Sequence, residues 1–346
     1  MATDSSQHRR ISLSDVAREA GVSISAASFA LNERVGVSEA VRARVREAAV
    51  RLRYIPSSSA VALRTGRSGT VGLLIRNMRN PFFLDVINGF DVTCARAGLG
   101  VVIGSADYSS ARETELVGTF IARQVDGLAL SPIGGGSAAA DWDDATGRPL
   151  VFINAAEHAR EIDASRVHVD SEGAVQQAVG HLTELGHQRI AIVAAPDGHS
   201  ADSERVSTFQ RLASQLDVDG RVIRTPMQHN SAVEALTRVL QKPETRRPTA
   251  IITSSDYIAT AGYSAAETAG LQVGIDVGIV GHDDLTTSRF LAPSLTTIAV
   301  DRFQIGVEAA TSLISRLEGN GPSTTVVATT LVPRRSTGPI KRSRRP

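Results

Sequence analysis

The chain is 346 residues long, with 42% hydrophobic residues, a single cysteine and a formal net charge of +1. That length predicts two or three domains with substantial cores, whereas the single cysteine, Cys94, excludes internal disulfides and cysteine-clustered zinc sites. Because no apolar run is long enough to span a bilayer and no early segment resembles a signal peptide, we expect a cytoplasmic protein with no membrane partner.

The chain opens with a helix-turn-helix pattern. Ser12 and Asp15 have the spacing of a capping box, which predicts a helix over residues 13–19. A short turn follows, in which Gly21 tolerates backbone angles that other residues avoid. A second helix is expected directly after this turn.

Ser23 caps the second predicted helix, which runs to about Asn32. The small apolar residues of this helix share one side, so Ser25 and Phe29 lie on the opposite side. The apolar side is expected to pack inward, which leaves the other side open to a DNA groove.

The positive charge of the chain is concentrated near its start. A third helix, predicted over 38–53, carries most of its arginines outside an apolar stripe. Residues 1–69 contain 11 arginines and 6 acidic residues, whereas residues 70–333 contain 20 basic and 30 acidic residues. Because clustered cations release counterions from phosphates, we predict that the head binds nucleic acid; the alternative is a solvated arginine face on a non-binding helical domain.

From Thr70 onward, short β-branched runs alternate with helical stretches. Such alternation predicts parallel sheets covered by helices on both faces. Ligands of these folds bind beyond the carboxyl ends of the strands, so polar residues there are candidate contacts. The sequence contains no glycine-rich phosphate loop, metal-spaced histidine set or nucleophile elbow, so we expect neither an enzyme nor a cofactor or metal.

Strings distributed over most of the chain resemble the LacI/GalR family of transcription regulators. They include SLSDVAREAGVS at the start, NPFF and HLTELGHQRIAIV in the body, and VGIVGHDD and PSLTTI towards the end. The resemblance implies an N-terminal all-α helix-turn-helix head and an α/β two-subdomain body that resembles type I periplasmic binding proteins. Three crossing strands would join the two subdomains.

The resemblance also divides the chain into domains. It implies a helix-turn-helix head over 10–55, a hinge helix or linker over 56–69, an effector-binding and dimerisation body over 70–333, and a disordered basic tail over 334–346. Within the body, the implied subdomains are about 70–164 plus 299–325, and 165–298 plus 326–333.

By this resemblance, a homodimer binds palindromic double-stranded operator DNA. The second helix would lie in the major groove, while paired hinge helices insert a leucine into the minor groove. Where the family often has a reading arginine, this chain has Phe29, which can contact only apolar base edges such as a thymine methyl. The candidate DNA contacts are Ser14, Ser23, Ile24, Ser25, Ser28, Phe29, Asn32, Tyr54, Ala60 and Leu63.

A small-molecule effector, such as a sugar or a sugar derivative, is expected between the two subdomains. Arg205 and Asp283 can hold vicinal hydroxyls or a carboxylate by charge-assisted hydrogen bonds. Asp256 has an alternative role as a cap of the helix that it begins. The candidate effector contacts are Phe82, Asn154, Arg205, Asp256, Asp283 and Arg302.

These patterns predict a sequence-specific transcriptional repressor whose operator affinity is controlled allosterically by the effector. The alternative is a cytosolic small-molecule sensor that acts through a protein or RNA partner.

Overall fold

The computed structural model describes residues 11–54, 66–134, 136–155, 162–196 and 202–340. The chain forms two compact units, which comprise residues 1–68 and residues 69–346. Most of the expected hinge over 56–69 lies outside the described residues. No helix in the described ranges is long and apolar enough to cross a membrane.

The first unit contains the three predicted helices, α1 (Leu13–Glu19), α2 (Ile24–Leu31) and α3 (Glu39–Arg51). The predicted capping box is confirmed, because the Ser12 hydroxyl and the Asp15 carboxylate each accept a hydrogen bond from the other residue's backbone amide. Small apolar side chains allow the helices to pack closely. The fully buried members of this core are Val16, Ala17, Ala20, Ala27, Ala30, Val45 and Ala48.

The second unit is an α/β body. Its strands are β1 (Thr70–Ile75), β2 (Gly100–Ser105), β3 (Leu128–Leu130), β4 (Leu150–Ile153), β5 (Ser165–Val169), β6 (Arg189–Ala194), β7 (Asp219–Arg224), β8 (Ala250–Ile252), β9 (Gly278–Asp283), β10 (Thr296–Val300), β11 (Thr324–Val327) and β12 (Thr329–Val332). Its helices are α4 (Phe82–Arg96), α5 (Ser110–Ala122), α6 (Ser137–Thr146), α7 (Ser171–Glu184), α8 (Ser203–Gln215), α9 (His229–Leu240), α10 (Asp256–Thr268) and α11 (Arg302–Leu317), with a 3-10 helix at Thr286–Arg289.

The strands form two six-stranded sheets, which define two subdomains. The first sheet has the order β11-β5-β4-β3-β1-β2, and the second has the order β12-β10-β9-β8-β6-β7. All pairs are parallel except β10 with β12, which is antiparallel. Apolar cores lie on both faces of each sheet. The predicted doubly covered parallel sheets are therefore confirmed.

The chain passes between the two sheets three times, after β5, after β10 and between β11 and β12. The boundary expected at residue 165 is wrong, because β5 pairs with β4 and β11 in the first sheet. The boundary expected at residue 299 also shifts, since β10 continues to Val300 in the second sheet. An alternating strand pattern shows which face of a strand is buried, but it does not identify the sheet to which the strand belongs.

The segment expected to be a disordered tail packs on the second subdomain as far as Ile340; residues 341–346 lie outside the described part. Ser336 is fully buried, and its hydroxyl donates to the Ile279 carbonyl at 2.6 Å and accepts from the Thr296 amide at 2.7 Å. Arg334 pairs with Asp284 at 2.6 Å. The segment is ordered because it satisfies backbone groups of β9 and β10 that would otherwise be buried without partners.

Ser336→Ala is expected to destabilise the body by about 2 to 4 kcal/mol, because it leaves a buried carbonyl and a buried amide unpaired. Urea unfolding of the full chain measures this loss. Thr330→Ala, at an exposed position on the adjacent β12, is the control and should change the free energy of unfolding by much less. Equal effects of the two substitutions would show that the Ser336 hydrogen bonds do not hold the segment.

Candidate functional site

Helix α2 presents one outward face of the head. Ala27 and Ala30 are fully buried, whereas Ile24 is 55% exposed and Phe29 is 37% exposed. Ser25 is exposed on the same outward side. The predicted division of this helix into a packed side and an open side is therefore present in the structure.

The Phe29 ring lies beside the loop that follows α2. A Cβ atom added at Gly36 would lie 3.5 Å from Cδ2 of Phe29, and Gly36 has a φ of +120°. A side chain at Gly36 would be strained and would crowd the ring. The loop backbone therefore supports the Phe29 ring while leaving part of it open to solvent.

Several other head candidates already make intramolecular contacts. The hydroxyl of Ser23 accepts from the Ala26 amide at 3.1 Å as the cap of α2, and the Ser14 hydroxyl lies 2.7 Å from that of Ser12. Ser28 is half-buried, the exposed Asn32 donates to the Ser28 carbonyl at 2.7 Å, and Tyr54 packs against the head core. Ala60 and Leu63 lie outside the described residues.

The arginines of α3 are partly neutralised within the head. Arg46 pairs with Glu33 at 2.8 Å and Arg51 pairs with Glu19 at 3.5 Å. These pairs are exposed, so solvent and salt screen them and a phosphate can compete for the guanidinium groups.

A cleft of about 1180 Å³ separates the two subdomains of the body. It opens at the carboxyl ends of several strands, as expected for ligand sites of parallel sheets. Four of the six predicted effector contacts line it, namely Phe82, Asn154, Arg205 and Asp283.

Asp283 ends β9 in a strained backbone conformation, with a φ of +115°. Its side chain is buried, and its Oδ1 lies 3.0 Å from Nδ1 of His282. Its Oδ2 has no hydrogen-bond partner among the described residues. Burial raises the pKa of Asp283 to about 8, although Arg205 and Arg302 act in the opposite direction. Burial also lowers the pKa of His282, so the pair is largely uncharged at neutral pH.

Arg205 reaches the cleft from the first turn of α8. Its Nη1 donates to the Ser254 carbonyl at 2.9 Å and lies 4.0 Å from the Asp202 carboxylate. Its Nε is buried and has no partner in the described part of the chain. Arg205 is therefore fixed in place and retains an unused donor.

The other two lining candidates are held by the first subdomain. Asn154 has a φ of +51°, and its side-chain oxygen accepts from the Val169 amide at 2.9 Å. Phe82 is buried and packs edge-on against Phe83, with ring centroids 5.0 Å apart. Both residues shape the wall of the cleft.

Asp256 does not line the cleft, which corrects its assignment as a predicted contact. Its Oδ2 accepts from the Leu285 amide at 2.8 Å and from the Ser288 hydroxyl at 2.5 Å, and its Oδ1 accepts from the Thr297 hydroxyl at 2.5 Å. Nor is Asp256 the cap of α10, since Ser255 occupies that position. Asp256 instead ties the start of α10 to β10 and to the loop after β9.

Arg302 is also absent from the cleft wall. Its Nε and Nη2 bind the Asp85 carboxylate at 2.9 and 2.7 Å. Its Nη1 donates to the backbone carbonyls of Asp283 and Asp284. Because Asp85 belongs to the first subdomain and β9 to the second, Arg302 connects the two subdomains directly.

Sequence reasoning missed Arg76, Tyr108 and Asp202, all of which line the cleft. Arg76 directly follows β1, and its Nε donates to the Pro132 carbonyl at 2.9 Å. Burial raises the pKa of Tyr108 to about 12, which keeps its hydroxyl protonated. The strand-end rule, applied to β1 as it was to β9, would have identified Arg76.

Comparison with known proteins gives matches over both units. Residues 12–57 match the family "Bacterial regulatory proteins, lacI family", and residues 179–337 match "Periplasmic binding protein-like domain". The HTH-type transcriptional repressor CytR of Escherichia coli (strain K12) is 31% identical over 317 residues, which cover 90% of this chain and 92% of CytR. The ribose operon repressor of the same strain is 29% identical over 309 residues, covering 88% and 92% of the two chains.

Two solved structures have similar folds. The Lac repressor dimer bound to operator and the anti-inducer ONPF has a TM-score of 0.81 and 25% identity to this chain. The match covers 95% of this chain and 100% of the Lac repressor chain. A complex of the transcriptional regulator CelR with cellobiose has a TM-score of 0.71 and 27% identity, with coverage of 94% and 100%. The expected fold class, a helix-turn-helix head with a two-sheet α/β body, is confirmed.

Asp283→Asn is expected to change the pH dependence of stability. The folded chain holds the Asp283 proton more tightly than the unfolded chain, in which the pKa of aspartate is about 3.9. Stability is therefore lost as the pH rises from about 4 towards about 8. The variant should melt at nearly the wild-type temperature at about pH 5 and at a higher temperature at about pH 8.5.

Thermal unfolding at the two pH values measures this difference. Asp217→Asn, at an exposed position, is the control and should follow the wild type. The same shift of melting temperature at both pH values would argue against a raised pKa for Asp283.

Proposed function

Because the chain belongs to the LacI family of bacterial regulatory proteins, we propose that it represses transcription from the cytoplasm as a homodimer on palindromic operator DNA, under control of a small molecule held in the cleft. The matched relatives are transcriptional repressors and not enzymes, in agreement with the sequence-based expectation. The single observation that carries the proposal is the 31% identity to a transcriptional repressor along both the head and the body.

The geometry of the head supports DNA binding. Helix α2 turns Ser25, Ile24 and Phe29 outward from a core of small side chains, so that its outer face fits a major groove. The excess of arginine over acidic residues in 1–69 adds affinity for phosphates. Residues 70–333 carry more acidic than basic side chains, so phosphates repel the body and DNA binding through the head is favoured. Ala60 and Leu63 remain candidates on sequence grounds.

The cleft supports control by a small molecule. Arg205 and Asp283 line a cavity between the two subdomains, and each has a buried polar atom without a hydrogen-bond partner among the described residues. Such a site pairs with a polar ligand, because buried polar groups without partners are costly. The CelR complex contains cellobiose and the Lac repressor complex contains ONPF, so ligand binding by regulators of this fold is precedented.

Coupling between the ligand and DNA requires that the two subdomains change their relative orientation. Arg302 bonds Asp85 on one side and the carbonyl of Asp283 on the other, and the Asp283 side chain lines the cleft. A ligand that shifts Asp283 therefore acts directly on the contact that holds the subdomains together. Typical coupling free energies of about 1 to 3 kcal/mol are sufficient for regulation.

The proposal is tested by selecting bound duplexes from a random pool with the purified full-length protein. We expect an enriched palindrome, because one small head buries too little DNA for tight specific binding. The selection is repeated with cell extract as a source of co-repressor. Failure to enrich any site in either experiment would contradict the proposal and favour a sensor that acts through a protein or RNA partner.

Phe29→Ala is expected to reduce discrimination between operator variants more than it reduces binding to random DNA. The ring can contact base edges, whereas most non-specific affinity comes from phosphate contacts. Loss of one apolar base contact should cost about tenfold in affinity for the selected site, in line with about 1 to 3 kcal/mol per altered base contact.

Fluorescence anisotropy on the selected duplex and on a random duplex measures both affinities. Val50→Ala, which truncates a 78% exposed apolar side chain on α3, is the matched control. Equal losses on both duplexes would show that Phe29 does not read sequence.

A further inference from the structure

Arg76 lines the cleft and forms no ion pair with a carboxylate of the described residues. Its Nε and Nη2 donate to the backbone carbonyls of Pro132 and Asn154, at 2.9 and 2.5 Å. Among the described residues, no carboxylate oxygen lies within 4.0 Å of its guanidinium and Nη1 has no hydrogen-bond partner. Two backbone carbonyls therefore fix the orientation of a cation that lines the cavity.

Arg205 approaches from the other subdomain. Its buried Nε has no partner among the described residues. The Asp202 carboxylate lies 4.0 Å from its Nη1 and accepts from the Ala195 amide at 2.8 Å. Arg76, which follows β1 of the first subdomain, and Arg205, in α8 of the second, line the same cavity. The charge of Arg205 acts with burial to lower the pKa of Arg76. Two like charges in this position favour a group of opposite charge between them.

Oδ2 of Asp283 also has no hydrogen-bond partner among the described residues. Because burial raises the pKa of Asp283 to about 8, this carboxyl is mostly protonated at neutral pH. Asp283 therefore adds little negative charge to the cleft beside Arg205, and the two arginines favour a ligand rich in acceptor oxygens.

The acidic groups Glu113 and Asp202 do not pair with the Arg76 guanidinium. Glu113 accepts from the Ile133 amide at 2.7 Å, and both Glu113 and Asp202 raise the pKa of Arg76 without forming an ion pair with it. They offset part of the positive charge and leave the donor atoms unused.

We propose that the small molecule of the cleft carries an anionic group, a carboxylate or a phosphate, that lies between Arg76 and Arg205. A planar guanidinium pairs with either anion through two parallel hydrogen bonds. This inference rests on the proposed ligand role of the cleft and narrows its chemistry. The cellobiose of the CelR complex is a neutral sugar, so this chain would differ from that relative in the charge of its ligand.

Matched pairs of compounds test the inference, with thermal shift and calorimetry on the full-length protein. The pairs are glucose with glucuronate and ribose with ribose 5-phosphate, and sulfate at tens of millimolar serves as the simplest anion. We expect stabilisation by the anionic members only. A preference for glucuronate or for ribose 5-phosphate then distinguishes a carboxylate ligand from a phosphate ligand.

Variants assign the effect to the site. Arg76→Gln is expected to weaken anion binding by about tenfold or more, since it removes hydrogen bonds to a charged group. Arg79→Gln, which removes an equal charge from an exposed position nearby, should leave binding unchanged and controls for the general stabilisation by salts. Because Arg76→Gln also loses contacts to Pro132 and Asn154, Arg205→Lys serves as the second variant, which keeps the charge and removes the Nε donor.

The inference would be overturned if the neutral and anionic compounds of each pair bound equally well. It would also be overturned if anions bound as tightly to Arg76→Gln and to Arg205→Lys as to the wild type. Stabilisation by sulfate that is the same in the wild type and in Arg76→Gln, with no other anion bound, would overturn it too. If a neutral sugar binds and alters affinity for the selected operator, the proposed function stands and only the anionic character is wrong. Absence of any selected operator would contradict the proposed function without affecting the anion measurement.

Discussion

The guanidinium of Arg302 bonds to both subdomains of the body. One edge holds the Asp85 carboxylate of α4 and another donates to the backbone at the end of β9. Close helix packing places it there: a Cβ atom at Gly306 would lie 2.1 Å from the Val86 carbonyl, so α4 and α11 approach backbone to backbone. We expect the orientation of the subdomains, and with it the shape of the cleft, to depend on this contact.

Hydrogen bonds within the protein fix the arginine donors that line the cleft. Two backbone carbonyls hold Arg76 and one holds Arg205, so little conformational entropy of these side chains is lost when a ligand binds. Asp283 is linked to the Arg302 contact through its backbone and to the cavity through its side chain. In the proposed function, a ligand that engages Asp283 would therefore act on the residue whose backbone carbonyl Arg302 binds, without a long chain of intervening residues.

Local patterns predicted the head and the alternation of strands and helices in the body, because caps and turns depend on residues a few positions apart. The rule that ligands lie at strand ends correctly placed Asp283 at the cleft. Asp256 and Arg302 were misplaced because their partners are distant in sequence: Thr297 is 41 positions from Asp256, and Asp85 is 217 positions from Arg302. Ser336 was assigned to a disordered tail for the same reason, since Ile279, which it binds, is 57 positions away.

Coupling between the cleft and DNA is tested by measuring operator affinity by fluorescence anisotropy, in the wild type and in Arg302→Gln. Each protein is measured with and without the tightest-binding compound of the sugar and anion panel. We expect the compound to change the operator Kd of the wild type by about five- to 150-fold. In Arg302→Gln this ratio should fall towards one, while the operator and the compound each still bind. An unchanged ratio in the variant would contradict the role of Arg302 in coupling the cleft to the operator, and a ratio of one in the wild type would contradict allosteric control itself.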